Sequence, residues 1–305
     1  MADGSTDTGG REDLLVDLSR CLRMRFNESS CRQCVDICPH ESVTLDGGLS
    51  VNPDQCHGCL LCTSGCPVGA LEQSADFAAC LTQLSRSPEP HLGCIRTKAN
   101  SNAAVACLGG LSQEHLLALC HSLPDTLTLN LSKCAECANN AMINHLRQRF
   151  SALLEAGLLT GGVRIVLAES ASGLNFHDEA VDRRSFFKSL RSSLFQGAAA
   201  ILSTTCEQPG QRSEYARKYL SARRELLNKT RNRLPQELAV PAGKLFDSII
   251  SFGKSCTKCQ GCVAICPTGA LKSGLPDALP GFDQLLCTGC GLCAEFCLDG
   301  AVRFS

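Results

Sequence analysis

The residues able to do chemistry in this chain are its cysteines: 23 of 305, in a sequence with no Trp, two Tyr and 5 % aromatic residues. Cys256, Cys259, Cys262 and Cys266 form Cys-x2-Cys-x2-Cys-x3-Cys with Pro267 following. The same intervals return at Cys287, Cys290, Cys293 and Cys297, where Leu298 replaces the proline. A third copy is Cys56, Cys59, Cys62, Cys66 and Pro67, and before it a partial copy, Cys31, Cys34, Cys38 and Pro39, has Glu28 where a leading cysteine would stand. The segments after each fourth cysteine also repeat, as Pro-His-Glu-Ser-Val, Pro-Val-Gly-Ala-Leu, Pro-Thr-Gly-Ala-Leu and Leu-Asp-Gly-Ala-Val, so the repeated unit is longer than its ligands. Three thiolates at this spacing wrap three corners of an iron–sulfur cube, while the fourth is carried to the neighbouring cube. Proline turns the chain there and supplies no N–H.

The copies pair as 31–66 and 256–297, and each pair resembles a bacterial-type dicluster ferredoxin. Crossed ligation assigns Cys256, Cys259, Cys262 and Cys297 to one [4Fe–4S] cluster and Cys287, Cys290, Cys293 and Cys266 to a second. In the N-terminal pair, Cys56, Cys59, Cys62 and Cys38 make a complete set. The other set, Cys31, Cys34 and Cys66, lacks one ligand. Cys21 is the nearest free thiol and is the expected fourth ligand; a three-cysteine cluster and ligation by Glu28 are the alternatives. Gly58, Gly261, Gly289 and Gly291 are expected to let backbone amides approach the sulfurs. Zinc is disfavoured because knuckles use two Cys-x2-Cys pairs rather than a repeated run of four. Disulfides are disfavoured in a chain whose polar, acidic first twenty residues hold no export signal.

These ligands need elements to hold them, and the expected fold class is α+β with an α/β middle. Two ferredoxin-like dicluster modules, 21–80 and 246–305, flank a small α/β domain at 91–170 and a helical basic connector at 171–245, behind an acidic N-terminal segment, 1–20. In the middle, residues 93–95, 103–108, 126–131 and 163–167 read as strands. Residues 112–121 and 138–158 read as helices, the first opened by Ser112 as a cap. Strands alternating with helices imply a mainly parallel sheet. Cys94, Cys107 and the pair Cys134 and Cys137 follow these strands, where loops at the carboxyl ends of an open α/β sheet converge. Four thiols there suffice for a [2Fe–2S] or [4Fe–4S] cluster, with zinc the lesser reading and small buried hydrophobes the plain one. The stretches Val105 to Leu111, Ser132 to Cys137 and Arg164 to Phe176 resemble the small iron–sulfur delta subunit of hydrogenases linked to heterodisulfide reductase. That resemblance implies one cluster passing electrons to a flavin-containing partner.

From Arg183 to Arg233 the chain carries twelve Lys or Arg against three Glu, a solvated helix face in the usual reading, or else a docking surface or a helical prop between modules. Arg183 and Arg184 read as a helix start capped by Asp182. The net charge of −1 excludes a strongly basic nucleic-acid binder, and no run reaches the roughly 18 apolar residues of a membrane span. No Gly-x-Gly-x-x-Gly follows a strand, no phosphate loop occurs, and no nucleophile is paired with a base. His57 and His91 read as packed or solvated, and Cys80, Cys120 and Cys206 as packing residues. The expectation is a cytoplasmic electron-transfer protein with four [4Fe–4S] clusters and a candidate fifth. It would work with redox protein partners in an oxidoreductase complex, without nucleic acid, and reach a membrane only peripherally through a partner. Two other readings stand beside it: a reductase subunit acting catalytically at the central four-cysteine site, and a scaffold or assembly protein with structural clusters.

Overall fold

The computed structural model describes residues 11–170, 174, 217–275 and 277–304. The N-terminal module contains β1 (Leu14–Val16), α1 (Leu22–Arg25), α2 (Gln33–Asp36), β2 (Val43–Thr44), β3 (Ser50–Val51), α3 (Leu61–Gly65) and β4 (Leu71–Gln73). β1 pairs antiparallel with β4, and β2 with β3. The segment read as an acidic extension therefore supplies a strand of the module from residue 14. Leu14 and Leu71 are core residues at the two ends of that ribbon.

After α4 (Phe77–Leu84), the middle of the chain forms β5 (His91–Cys94), β6 (Ala103–Val105), α5 (Gln113–Ser122), β7 (Leu127–Asn130), α6 (Met142–Glu155) and β8 (Ile165–Ala168). These strands make one parallel sheet in the order β6-β5-β7-β8. Every residue of β5 is buried, as expected of a central strand covered on both faces. Ser112 caps α5 through a reciprocal bond with His115. The long helix begins at Met142 rather than Ala138, because residues 134–141 are spent on turns that carry Cys137 and Asn139.

In the described part of the basic connector, α7 (Ala222–Arg231) and α8 (Ala239–Phe246) lead to the C-terminal module. That module comprises β9 (Ile250–Phe252), α9 (Gly261–Ile265), β10 (Leu271–Lys272), β11 (Gly281–Phe282), α10 (Leu292–Glu295) and β12 (Val302–Phe304). β9 pairs with β12 and β10 with β11, both antiparallel, repeating the plan of the N-terminal module. The expected helix start at Asp182 to Arg184 lies outside the described residues.

One apolar core runs from Leu14 and Leu22 through Leu61 and Leu71 into Leu92, Leu117 and Leu129 of the middle domain, and takes in Leu292 of the C-terminal module. A smaller core around Ala270, Leu271 and Val302 belongs to the C-terminal module alone. Leucines do the packing that aromatic residues are too few to do.

Candidate metal centres

Each full cysteine run is shaped by two left-handed residues that flank its second cysteine. They are Gly58 and Leu60 (φ 67° and 57°), Lys258 and Gln260 (61° and 60°), and Gly289 and Gly291 (66° and 78°). An L-residue pays about 1–2 kcal/mol for that conformation, so its appearance at Leu60, Lys258 and Gln260 marks a backbone held to a required path. The path turns three successive thiols toward one point, and the second left-handed residue in each run caps the short helix that carries the third cysteine. The partial copy lacks this curl: Arg32, at the corresponding place, has φ −134°. Gly261 lies inside α9, its would-be Cβ 3.1 Å from the Phe296 ring and 3.6 Å from Cys259 Sγ. Its small size serves packing.

The repeated segment after each fourth cysteine serves the sulfur itself. Gly69, Gly269 and Gly300 take φ of 67°, 73° and 56°. The turn brings the Ala70 N–H to Cys66 Sγ at 3.2 Å and the Ala301 N–H to Cys297 Sγ at 3.3 Å. Burial pushes the Cys266 thiol up, but backbone amides of residues 268, 270 and 271 and the Thr268 hydroxyl outweigh it and hold the thiol below its ordinary value. At Cys38, Glu41 takes the left-handed place and the Ser42 hydroxyl lies 3.3 Å from the sulfur.

Cys38, Cys56, Cys59 and Cys62 line one enclosed cavity with Leu14, Val43, Val51 and Leu60. Cys266, Cys287, Cys290 and Cys293 line another with Ile250, Leu271 and Phe304. Both are the fourfold sets expected from crossed spacing. Cys21, buried in the core, lies within electrostatic reach of Cys31, Cys34 and Cys66; burial, then these neighbours, push the Cys34 thiol up to about 12. Glu28 is exposed. Of the outer C-terminal set, Cys256, Cys259 and Cys262 face one another electrostatically, Cys259 is exposed, and Cys297 ends the turn after α10.

Among the described residues, no three His, Cys, Asp or Glu side chains converge tightly enough for a single metal ion. A tetrahedral zinc would draw its sulfurs to about 3.8 Å of one another. A cube takes four thiolates spread more widely, and four cysteines are the donor set that each cavity offers, so the sets fit a cluster. The thiols need to lose protons on binding, and the amide donors and core iron supply the compensating positive charge.

The central thiols converge as well. Cys94, Cys107 and Cys134 are 7 %, 9 % and 7 % exposed. Cys107 lies within electrostatic reach of Cys94 and Cys134, and Cys134 of Cys137. His91 is buried with Nδ1 2.9 Å from the Glu89 carbonyl, whereas His57 is exposed, its ring tilted against that of His40 at 4.5 Å. Cys120 packs beneath Gly162, Cys80 is half-buried, and Cys206 lies outside the described residues.

Charged residues that spacing alone did not single out bind the parts together. Arg149 donates to the carbonyls of Gly109 and Leu111 and to Ser64 Oγ, at 2.9, 2.8 and 2.6 Å. Lys218 Nζ closes the end of α9 on the carbonyls of Val263, Ala264 and Cys266 at 3.1, 2.7 and 2.8 Å. Arg223 closes the end of α3 on Ser64 and, at 2.6 Å, Cys66. Arg224, 4 % exposed, donates to the carbonyls of Phe246, Gln284 and Leu285. In the described basic connector Lys218 and Arg223 thus tie the two modules together at helix ends, where the dipole favours cations, while Arg217, Lys229 and Arg233 are exposed.

Comparison with known families agrees with this geometry. Residues 248–298 match a 4Fe-4S dicluster domain, and residues 49–72 and 18–44 each match a 4Fe-4S binding domain. Both ends of the chain are 4Fe–4S ferredoxin-type domains. The match from residue 18 takes in Cys21. The resemblance of the middle to a hydrogenase delta subunit is not supported, since all three matches lie in the ferredoxin-type ends. The protein is 41 % identical over 56 residues to the B component of polysulfide reductase of Wolinella succinogenes, covering 16 % of this sequence and 29 % of that protein. It is 40 % identical over 63 residues to the ferredoxin-type protein NapF of Haemophilus influenzae (18 % and 35 %). It is 30 % identical over 59 residues to pyruvate synthase subunit PorD of Methanocaldococcus jannaschii (19 % and 60 %). The matches thus span between 29 % and 60 % of the relatives' lengths. Among the described residues, no helix is long and apolar enough to cross a membrane.

Proposed function

We propose that this chain is an iron–sulfur electron-transfer protein that holds four [4Fe–4S] clusters and serves as a subunit or redox partner in a larger oxidoreductase. The observation that carries the reading is the pair of enclosed cavities, each lined by a crossed set of four cysteines from one module. The relatives' names, a reductase component, a ferredoxin-type protein and a synthase subunit, support the partner role. A reducing, cytoplasmic setting suits so many thiols.

When bound, the clusters take up and release single electrons. The protein's own residues do the rest. The cysteine sets hold each site, with Cys21 completing the set of Cys31, Cys34 and Cys66. The left-handed pairs aim the thiols, and the leucines and valines of the cavity walls exclude water. The N–H groups of Ala70 and Ala301 and the Thr268 hydroxyl stabilise negative sulfur, and so favour the reduced state at those sites.

Anaerobic iron and sulfide analysis with EPR tests the proposal. The ferredoxin-type ends should account for about 16 irons, and replacing two cysteines of any one set should remove about four. Colourless, zinc-loaded or disulfide-linked protein would refute it.

A further inference from the structure

The central thiols lie between the matched stretches, which end at residue 72 and resume at 248. We infer that Cys94, Cys107, Cys134 and Cys137 hold a fifth iron–sulfur cluster, joined to the N-terminal module where Cys107 approaches Cys59. This site would be one end of the relay, and it rests on the electron-transfer reading above.

The sheet order builds the site. With β5 between β6 and β7, the chain leaves β5 in one direction and later returns to its other side, which makes the β5–β7 edge a topological switch point. Cys94 is the last residue of β5 and Cys134 follows β7, so two ligands flank that crevice. Cys107 follows β6, and Cys137 closes the site from the next turn, where its N–H bonds the Cys134 carbonyl at 3.1 Å. The Thr97 hydroxyl accepts the Cys94 N–H at 2.9 Å and lies 3.8 Å from Cys94 Sγ. The exposed guanidinium of Arg96 lies within electrostatic reach of Cys137, Cys94 and Cys134, a cation beside the prospective thiolates. The group offers the four thiolate ligands an iron–sulfur core requires, three of them buried.

The same loops press onto the neighbouring site. Cys107 and Cys59 lie within electrostatic reach. A Cβ on Gly109, two residues after Cys107, would stand 2.3 Å from the Cys59 carbonyl, so only glycine permits this approach. Asn139, two residues after Cys137, donates to the His57 carbonyl at 2.9 Å and meets His40 Nε2 at 2.9 Å. The turns that carry Cys107 and Cys137 therefore clamp the loop from Cys56 to Cys62. Transfer across this contact moves one electron from a one-electron protein donor by way of the central site to the next, with no bond made and no proton moved.

The test uses the full chain, reconstituted anaerobically with ferrous iron and sulfide, beside Cys107→Ala and Cys137→Ser. Cys137 is a half-buried loop residue, so its substitution spares the sheet if Cys107→Ala does not fold. Wild-type protein is expected to hold about 18 or about 20 irons, for a two-iron or four-iron centre, and each folded variant about 16. In dithionite-reduced protein, the EPR signal of the adjoining N-terminal cluster should relax faster in wild type than in either variant. About 16 irons in wild type and variants alike, or one zinc lost on substitution, would overturn the central cluster while leaving the four-cluster reading intact. Equal relaxation in wild type and variants would overturn the junction at Cys59. Wild type far short of 16 irons would count against both proposals.

Discussion

Lys258 and Gln260 occupy backbone positions that Gly289 and Gly291 fill without cost in the neighbouring run. The difference is measurable. Lys258→Gly should raise stability by up to about 1 kcal/mol, tempered by the freedom glycine gains in the unfolded state. Gly291→Ala, whose new methyl would meet nothing within 4 Å, should lower it by about as much. Anaerobic denaturation midpoints of the holoprotein report both. A similar comparison separates Cys21 from Glu28. Cys21 is buried beside Cys31, Cys34 and Cys66, whereas Glu28 is exposed. Cys21→Ala should therefore weaken one cluster and lower iron content by up to about four atoms, while Glu28→Ala leaves it unchanged. Iron analysis with EPR reads the outcome, and equal losses would return the ligand question to Glu28. These cysteines were legible in the sequence because rigid spacing is a local property. The left-handed requirement at Lys258 was not, because a lysine gives no sign of the backbone path its neighbours impose.

Lys218 and Arg223, five residues apart in sequence, close two equivalent helices, one in each module. Arg223 also stands 4.0 Å from Glu114, where burial would raise the carboxyl but Arg223, the Ser112 hydroxyl and its own amide hold it below the usual range. Arg223→Ala should cost about 2–4 kcal/mol, by stripping two carbonyls and leaving Glu114 without its cation. Denaturation at neutral pH would show the loss, and a change within about 0.5 kcal/mol would mean water replaces the guanidinium. One residue on in α5, His115 packs its ring edge on Phe77 at 4.4 Å and takes the Ser112 N–H at Nδ1. Burial lowers it from 6.5 to about 4. The folded protein keeps this imidazole neutral where the unfolded state takes up a proton. Its contribution is therefore present above pH 6.5 and is lost as pH falls toward 4, by up to about 3 kcal/mol. Midpoints between pH 7 and 4.5 should fall less steeply in His115→Gln than in wild type; parallel curves would contradict this. The Ser112 cap and the alternation of strand and helix could be read from local pattern. The inward turn of the basic connector could not, since its acceptors are carbonyls tens to more than a hundred residues away, and a basic run reads alike whether solvated or packed.

The contacts between halves bear on the order of the proposed sites. Cys62 lies within reach of Cys34, and Cys293 of Cys262, linking the two sets inside each module. Between modules, Phe26 meets Phe296 edge-on at 5.4 Å, Glu295 accepts from the Ser30 N–H at 3.2 Å, and Pro67 and Thr288 border one crevice beside Arg223 and Arg224. In the proposed relay these contacts would carry charge between the halves, with exposed Cys259 marking the solvent-facing end of the C-terminal module. Filling these sites changes the molecule's field. The formal charge is −1 with every cysteine neutral. The four proposed cubes, each with four thiolates around a core near +2, would bring it to about −9. Lys218, Arg223 and Arg224 bond protein carbonyls and so do not form a basic docking face. A holoprotein of that charge should exchange electrons fastest with a cationic one-electron partner at low salt. The rate should fall as ionic strength rises from about 0.01 to 0.15 M, where the screening length shrinks from about 30 to about 8 Å. Stopped-flow oxidation of the reduced protein across that range measures it. A flat salt profile would mean that net charge does not guide contact, and an inverse one that a basic surface guides docking.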